Sequence, residues 1–509
     1  MSKTYRPWNP NQQYLLPPSV QDWLPENDLV YFILDTANEL DISAITQKYE
    51  QEKRGFPPFH PRMMVALLLY SYCRGIFSSR KIMQACQERI SFKVIVGDDI
   101  PNFRTISDFR MLHLKRLQLL FVQILQLCQE AGLVKLGHIA LDGTKIKANA
   151  SRHKAMSYGR ILRDEKRLTE EIKQLLEKAE AVDQQEDDKY GPDRRGDELP
   201  EELARRGSRL KRIQKAKKAL EAKAAAREIE KQREKEDSTN DDNPKRGRKC
   251  KAVSGVPADN KQYNFTDPES SIMKANNKGW DQCGNAQAAV DNKKQIIVAC
   301  DVTNQSNDKQ QFEPMLEKAQ ENVGEDKKIK AASADSGYYS ESNVKFAEGK
   351  KIDAYIATKR NKHSAPVMKA SRGRPPKDLS VQEKMARKLC TRKGREIYSK
   401  RKSIVEPVFG QIKRARGFVQ FSLRGIEKMR GEWSLVCLTH NLLETIQNSI
   451  YPCGLRIWWI RLRYSRDCDH FRKSTYSICQ KKFLPLKKQK SKPKDGRKMR
   501  SESITRTDS

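Results

Sequence analysis

Between residues 28 and 132, apolar side chains recur at the three-to-four spacing of an α-helix. "DLVYFILDTANELD" (28–41), "HPRMMVALLLYSYCRGI" (60–76) and "MLHLKRLQLLFVQILQLCQEAG" (111–132) each carry it. The breakers "GFPPFHP" (55–61) and "GDDIPNFRTISDF" (97–109) separate them, with Ser107-Asp108 as a helix start before Phe109. Beyond residue 136 the period shortens. "GHIALDGTKIKANAS" (137–151) alternates, with Ile139, Leu141 and Ile146 as strand positions. Residues 152–252 return to helical spacing, dense in charge and poor in aromatics. Leu168, Ile172, Leu175 and Ala179 form one stripe, and Leu203, Leu210, Ile213 and Leu220 a near-heptad seam. "DQQEDDKYGPDRRGDELP" (183–200) between them reads as turn. The pattern predicts a coiled-coil-like helical hairpin inserted after the first strand, with a structural or oligomeric role.

Strand character returns at "NAQAAV" (285–290), "QIIVACDVT" (295–303), Ile329 to Ala334 and "IDAYIAT" (352–358). Helices are predicted over 308–323 and 340–349, and again after a Pro-rich basic loop (364–380) as far as residue 450. With the insertion set aside, the order describes an α/β fold, a mixed sheet flanked by helices. In that sheet Asp142 lies on the first strand. Asp335 ends the fourth, a natural neighbour of the first.

Those two carboxylates sit where ordinary turn chemistry and ligand chemistry both place aspartates. Side by side in a sheet they repel each other unless a cation lies between them. Mg²⁺ or Mn²⁺ suits carboxylate oxygens and leaves positions open for phosphate. A pair of such ions, which activates a nucleophile and steadies a leaving oxygen, needs a further acidic ligand. Glu406 in "YSKRKSIVEPVFGQIKRARGF" (398–418) is the candidate, and Lys413, two helical turns on, is positioned to touch DNA phosphate. Pro407 places Glu406 near the start of its helix. The commoner role for a single Glu in this setting is an exposed, salt-bridged position.

Charge narrows the class. The 509 residues carry a formal net charge of +34, spread well beyond the basic stretch 481–500, so a polyanion such as nucleic acid is the expected partner. Arg74, Arg80, Lys81, Arg104 and Arg110 give the N-terminal helices either a DNA-binding surface or a solvated basic face. Eleven cysteines without CxxC spacing and seven histidines argue against a disulfide scaffold or a zinc site. The most apolar run, 63–73, is too short to span a bilayer.

"LDGTKIKANAS", "ADSGYYSE" and "RKSIVEPVFGQIKRARGF", with "NFTDPESSIMK" (264–274), "VTNQSNDKQQFEPML" (302–316) and "RGEWSLVCLTHNLL" (430–443), strongly resemble the DDE transposases of bacterial insertion sequences. The resemblance covers about residues 15–447. It implies a ribonuclease-H-like catalytic core (136–151 and 260–450), a helical DNA-binding domain (15–135), the charged helical-hairpin insertion with its linker (152–259) and a basic, disordered tail (451–509). It further implies recognition of double-stranded transposon ends, strand cleavage and strand transfer into target DNA, in a homodimer of a cytoplasmic, nucleoid-associated protein. Two Mg²⁺ (or Mn²⁺) ions would be held by Asp142, Asp335 and Glu406. Tyr398, Arg401, Lys402 and Lys413 would accompany the Glu on DNA. Lys413 stands at the family offset. Arg401 lies one residue further from Glu406 than the pattern asks, Lys402 occupies the Arg place and Tyr398 is likewise displaced. The alternatives are an inactivated relative that binds DNA without cutting and a nuclease that cuts without joining.

Three lesser features remain. "RGRPPK" (372–377) is similar to a minor-groove hook, though such residues also occur in any basic loop. Trp280 and Trp433 are expected in the core rather than stacked on an extruded base. The segment after residue 451 departs from the family pattern, as a frame extension or a basic DNA-binding arm.

Overall fold

The computed structural model describes residues 19–51, 57–97, 99–190, 201–236, 256–274, 279–324, 327–359, 376 and 379–448. The tail from 451, the basic stretch 244–251 and the 372–377 motif (save Pro376) lie outside the described residues.

Seven helices come first: α1 (Leu29–Glu39), α2 (Ser43–Glu50), α3 (Pro61–Cys73), α4 (Ser79–Glu88), α5 (Ile90–Val96), α6 (Phe103–Leu112) and α7 (Leu114–Glu130). The stretch read as a breaker before Phe109 is instead the start of α6. Asn102 caps it, its side chain accepting from the Arg104 N–H at 3.0 Å, so Ser107-Asp108 lies inside the helix. Strand β1 (Ile139–Lys147) leads through β2 (Ala155–Ser157) into the long helices α8 (Tyr158–Tyr190) and α9 (Glu201–Glu236). Helix α8 runs through the acidic residues 183–190 that the sequence reads as turn. Ile161 and Leu168 meet Ile213, Ala216 and Leu220, with Tyr158 and Tyr263 closing one apolar core. Helices α8 and α9 pack on each other across this core.

Strands β3 (Gln262–Asn264), β4 (Ser271–Lys274), β5 (Trp280–Asp291) and β6 (Ile297–Thr303) follow. Then come α10 (Phe312–Val323), β7 (Ala331–Ala334), α11 (Glu341–Gly349), β8 (Asp353–Ile356), α12 (Val381–Cys390), α13 (Arg392–Gly410) and α14 (Ile426–Asn448). The main sheet runs β4-β5-β1-β7-β8, with β6 also on β5. β5 is antiparallel to β1, β4 and β6, whereas β1, β7 and β8 are parallel. Ile139 to Leu141 are all buried, so the start of β1 does not alternate. Helix α13 packs against this strand.

Helix α14 is buried nearly all round, packed on β5 and β6 and on α3 and α7. Its Trp433 is a core residue, donating Nε1–H to the Gln287 carbonyl at 2.9 Å and stacking on Phe409. Trp280, expected in the core, is 55% exposed at the start of β5.

Helices α12 and α13 are both fastened to the sheet at Asp353, through Lys388 and Lys393 in turn. Lys388 Nζ lies 2.6 Å and Lys393 Nζ 3.1 Å from its carboxylate, and the Tyr355 hydroxyl donates to it at 2.7 Å. Burial raises the Asp353 pKa, but these donors outweigh it and hold the group at about 2. A depressed folded-state pKa stabilises above the unfolded value and is lost as pH falls through the folded one. Asp353→Asn is therefore expected to lower stability by about 1 kcal/mol at pH 7, after screening of partly exposed charges. The deficit should vanish between about pH 4 and pH 2 in urea melts. An equal deficit at pH 2 would rule out the ion pairs as its cause.

Candidate active site

The register of β1 on β7 brings the two aspartates together. Ile139 lies against Ala332 and Ala140 against Ser333. Carried forward two residues, that register sets Asp335 beside Asp142. Burial pushes the Asp142 carboxyl up to about 6; Arg401 pulls it down, and the charge of Asp335 adds to the rise. Asp142 Oδ2 accepts from Arg401 at 3.0 Å and Oδ1 from the Gly143 N–H at 2.8 Å. Asp335 Oδ1 caps the turn Ser336–Tyr338 through the Gly337 N–H at 2.8 Å. Asp335 is thus a turn residue and also the electrostatic neighbour of Asp142.

The glycines beside them are there for room. A Cβ at Gly143 would stand 2.4 Å from Gln287 Nε2, and one at Gly337 would lie 3.0 Å from Asp335 Oδ1 and 3.4 Å from Asp308 Oδ2. Asp308, which nothing in its sequence context singles out, joins the site through this second gap. Its Oδ1 accepts from Asn285 at 2.6 Å and Gln287 at 2.8 Å, with Lys145 Nζ at 3.4 Å. Gln287 Oε1 in turn accepts from the buried Tyr338 hydroxyl. Burial and the nearby charges of Asp308, Asp142 and Asp335 raise the Tyr338 pKa well above its usual value. This network ties the turn after Asp335 to β5. Gly143, directly after Asp142, is the sequence signal for it, since a strand glycine marks close approach from a neighbour.

Helix α13 supplies the remaining candidates, and its geometry corrects one expectation. Pro407 is in the body of the helix and Glu406 near its end, fourteen residues after the true start at Arg392. The Ser403 carbonyl, which Pro407 cannot serve, accepts from Gln295 Nε2 at 3.1 Å instead. A π-turn over Gln411–Ala415 then carries Lys413 onto β1, where it donates to the Thr144 hydroxyl and, at 3.2 Å, to the Lys145 carbonyl. Burial lowers its pKa. Arg401 is buried against Asp142, with Tyr398 stacked under its guanidinium at 5.8 Å. Lys402 and Glu406 are exposed.

Among the described residues, no group of three or more His, Cys, Asp and Glu side chains is gathered to hold a metal ion. Glu406 is exposed on α13, and among the described residues it is not gathered with Asp142 and Asp335 into such a group. The pair itself fits a hard divalent cation: two coupled oxygen donors, one of them kept from easy ionisation by its surroundings. Of the N-terminal cations, Arg110 is removed from any DNA surface. It is buried and donates to the Tyr72 hydroxyl and to the Phe77 carbonyl. Arg80 and Arg104 are exposed and flank the Phe103 ring. Among the described residues, no helix is long and apolar enough to cross a membrane.

The family comparisons meet this geometry. The model described as "Transposase domain (DUF772)" matches residues 18–112, and "Transposase DDE domain" matches residues 237–442. No curated protein and no solved structure matches the chain. The first match spans most of the leading helices, and the second covers β3 onward and ends within α14, including Asp335, Arg401, Glu406 and Lys413. With the resemblance carried by the aspartate and glutamate segments, they make the chain a member of the DDE transposases of insertion sequences, the enzymes of mobile elements.

Proposed function

We propose that this transposase binds the double-stranded ends of its own element, cuts them and joins them to target DNA. The observation that carries the reading is the coupled pair of Asp142, on β1, and Asp335, directly after the parallel strand β7, within a chain matched to transposase families over residues 18–112 and 237–442. The strand order β6-β5-β1-β7-β8, antiparallel in its first half and parallel in its second, supports a ribonuclease-H-like core.

In this reading Asp142 and Asp335 hold Mg²⁺ or Mn²⁺, two ions when the site is complete, with Glu406 as the third carboxylate. Bound there, the ions would activate a water or 3′-hydroxyl and stabilise the departing oxygen at phosphorus. Arg401 keeps Asp142 ionised and aimed while the site is empty of DNA. Asp308, Gln287 and Tyr338 fix the turn that carries Asp335. Lys413 braces α13 on β1, and Tyr398 and Lys402 line the approach for a phosphate. The leading helices, with Arg80 and Arg104 exposed, supply end recognition, and two protomers bring two ends together.

Incubation with the DNA that flanks its own reading frame, with and without Mg²⁺, tests this. Nicks at defined positions and joined products are expected only with the ion. Binding without any nick would favour the second reading, a DNA-binding relative that no longer cuts. The exposed position of Glu406, apart from the pair, is the observation on that side.

A further inference from the structure

Helix α9 carries more positive charge than its partner can absorb. From Ala204 to Leu220 there is no Asp or Glu, yet eight Lys and Arg. Three of these turn toward α8 and are matched there: Arg206 to Glu171 at 3.4 Å, Arg209 to Asp164 at 3.9 Å and Lys217 to Glu165 at 2.9 Å. On α8 the pattern is the ordinary solvated one, with Arg167 set against Asp164 and Glu171 and Lys173 against Glu177. Four cations of α9 are treated differently. Lys211, Arg212, Lys215 and Lys218 are exposed. At 100° per residue Lys211, Lys215 and Lys218 fall within about 60° of one another, opposite the buried Ile213, Ala216 and Leu220, and Arg212 lies at the edge of that strip. Spacings of three and four residues make neighbours of like charge, a mildly destabilising arrangement that a purely structural hairpin has no reason to keep.

We infer that this ridge is a docking surface for the sugar-phosphate backbone of duplex DNA, so that the hairpin grips DNA as well as supporting the fold. Charge complementarity selects this occupant in a chain of net charge +34. The ridge spans about 10 Å of helix axis, the length of about three phosphates along one strand. Such contacts position a duplex without reading its sequence. The inference rests on the proposed DNA substrate and deepens it.

The test uses the full chain, a fluorescein-labelled duplex of the flanking DNA and a series of salt concentrations. Lys211→Gln, Arg212→Gln, Lys215→Gln and Lys218→Gln together should make the log–log salt slope shallower by about 3, with melting at or above the wild-type temperature. Lys211→Gln with Lys215→Gln alone should give a shift of about 2 and guards against a misfolded quadruple variant. Arg206→Gln with Glu171→Gln, which removes a matched pair, should leave the slope unchanged. An unaltered slope in the quadruple variant overturns the inference, as does a change confined to self-association in sedimentation. If the wild-type chain binds with no salt dependence, the proposed substrate itself fails, a different result from failure of the ridge alone.

Discussion

Asp142→Asn and Asp335→Asn, each made alone, are expected to reduce Mg²⁺-dependent strand cleavage at least about a thousandfold while end binding persists. Asparagine keeps the shape of the side chain and removes the charge. Binding should hold or tighten slightly, because one fewer carboxylate faces the phosphates. For Asp142 the folded-state pKa of about 6 lies above the ordinary carboxylate value even with the pull of Arg401 included. By linkage, a raised group stabilises fully only below its unfolded pKa and loses that contribution as pH rises through the folded one. At neutral pH the native state therefore holds an ionised, mostly buried carboxylate at a net cost of the order of 2 kcal/mol, which Asn removes while its amide oxygen still accepts from Arg401. The melting temperature should hold or rise, so lost cleavage can be read as chemistry. Either variant still nicking at the wild-type rate would remove that aspartate from the site.

The strands bearing these aspartates are legible because each is a short apolar run that stops on a charge. Ile139 to Leu141 precede Asp142, and Ala331 to Ala334 precede Asp335; the register of β1 on β7 then makes neighbours of residues almost two hundred positions apart. Helix α13 is less legible. Its first turns, "RKGREIYSKRK", are dense in charge, and a proline marks its far end, so Pro407 reads as a beginning. What starts the helix is tertiary and local at once. Thr391 caps the Gly394 N–H at 3.0 Å, and a Cβ at Gly394 would sit 2.1 Å from the Lys388 carbonyl. The interior proline survives because Gln295, far off in sequence, serves the carbonyl it abandons. Asp308 was hidden by its surroundings: in "SNDKQQ" it looks like any loop acid. Only the folded chain sets it against Gln287 and Asn285.

Arg401→Ala is expected to destabilise the chain by about 3 kcal/mol at pH 8, more than a typical surface pair is worth. Arg401 is 7% exposed, and its guanidinium lies 3.0 Å from Asp142 and also feels Asp335. Removing it leaves a buried carboxylate without its cation, and the pull that now lowers the Asp142 pKa is lost. That pKa must then climb further. A carboxylate with a raised folded-state pKa stabilises at low pH and loses that contribution as pH rises, so the deficit should be smaller at pH 5 than at pH 8. Arg401→Ala with Asp142→Asn should recover most of it, a coupling well above the 0.5 kcal/mol or so at which independent sites add. Mg²⁺ supplies the charge by another route. It should raise the melting temperature of Arg401→Ala more than that of the wild type, and should not raise that of the double variant. If the two substitutions simply add and Mg²⁺ shifts all three proteins alike, Arg401 is a packing residue and the aspartate pair does not depend on a positive neighbour.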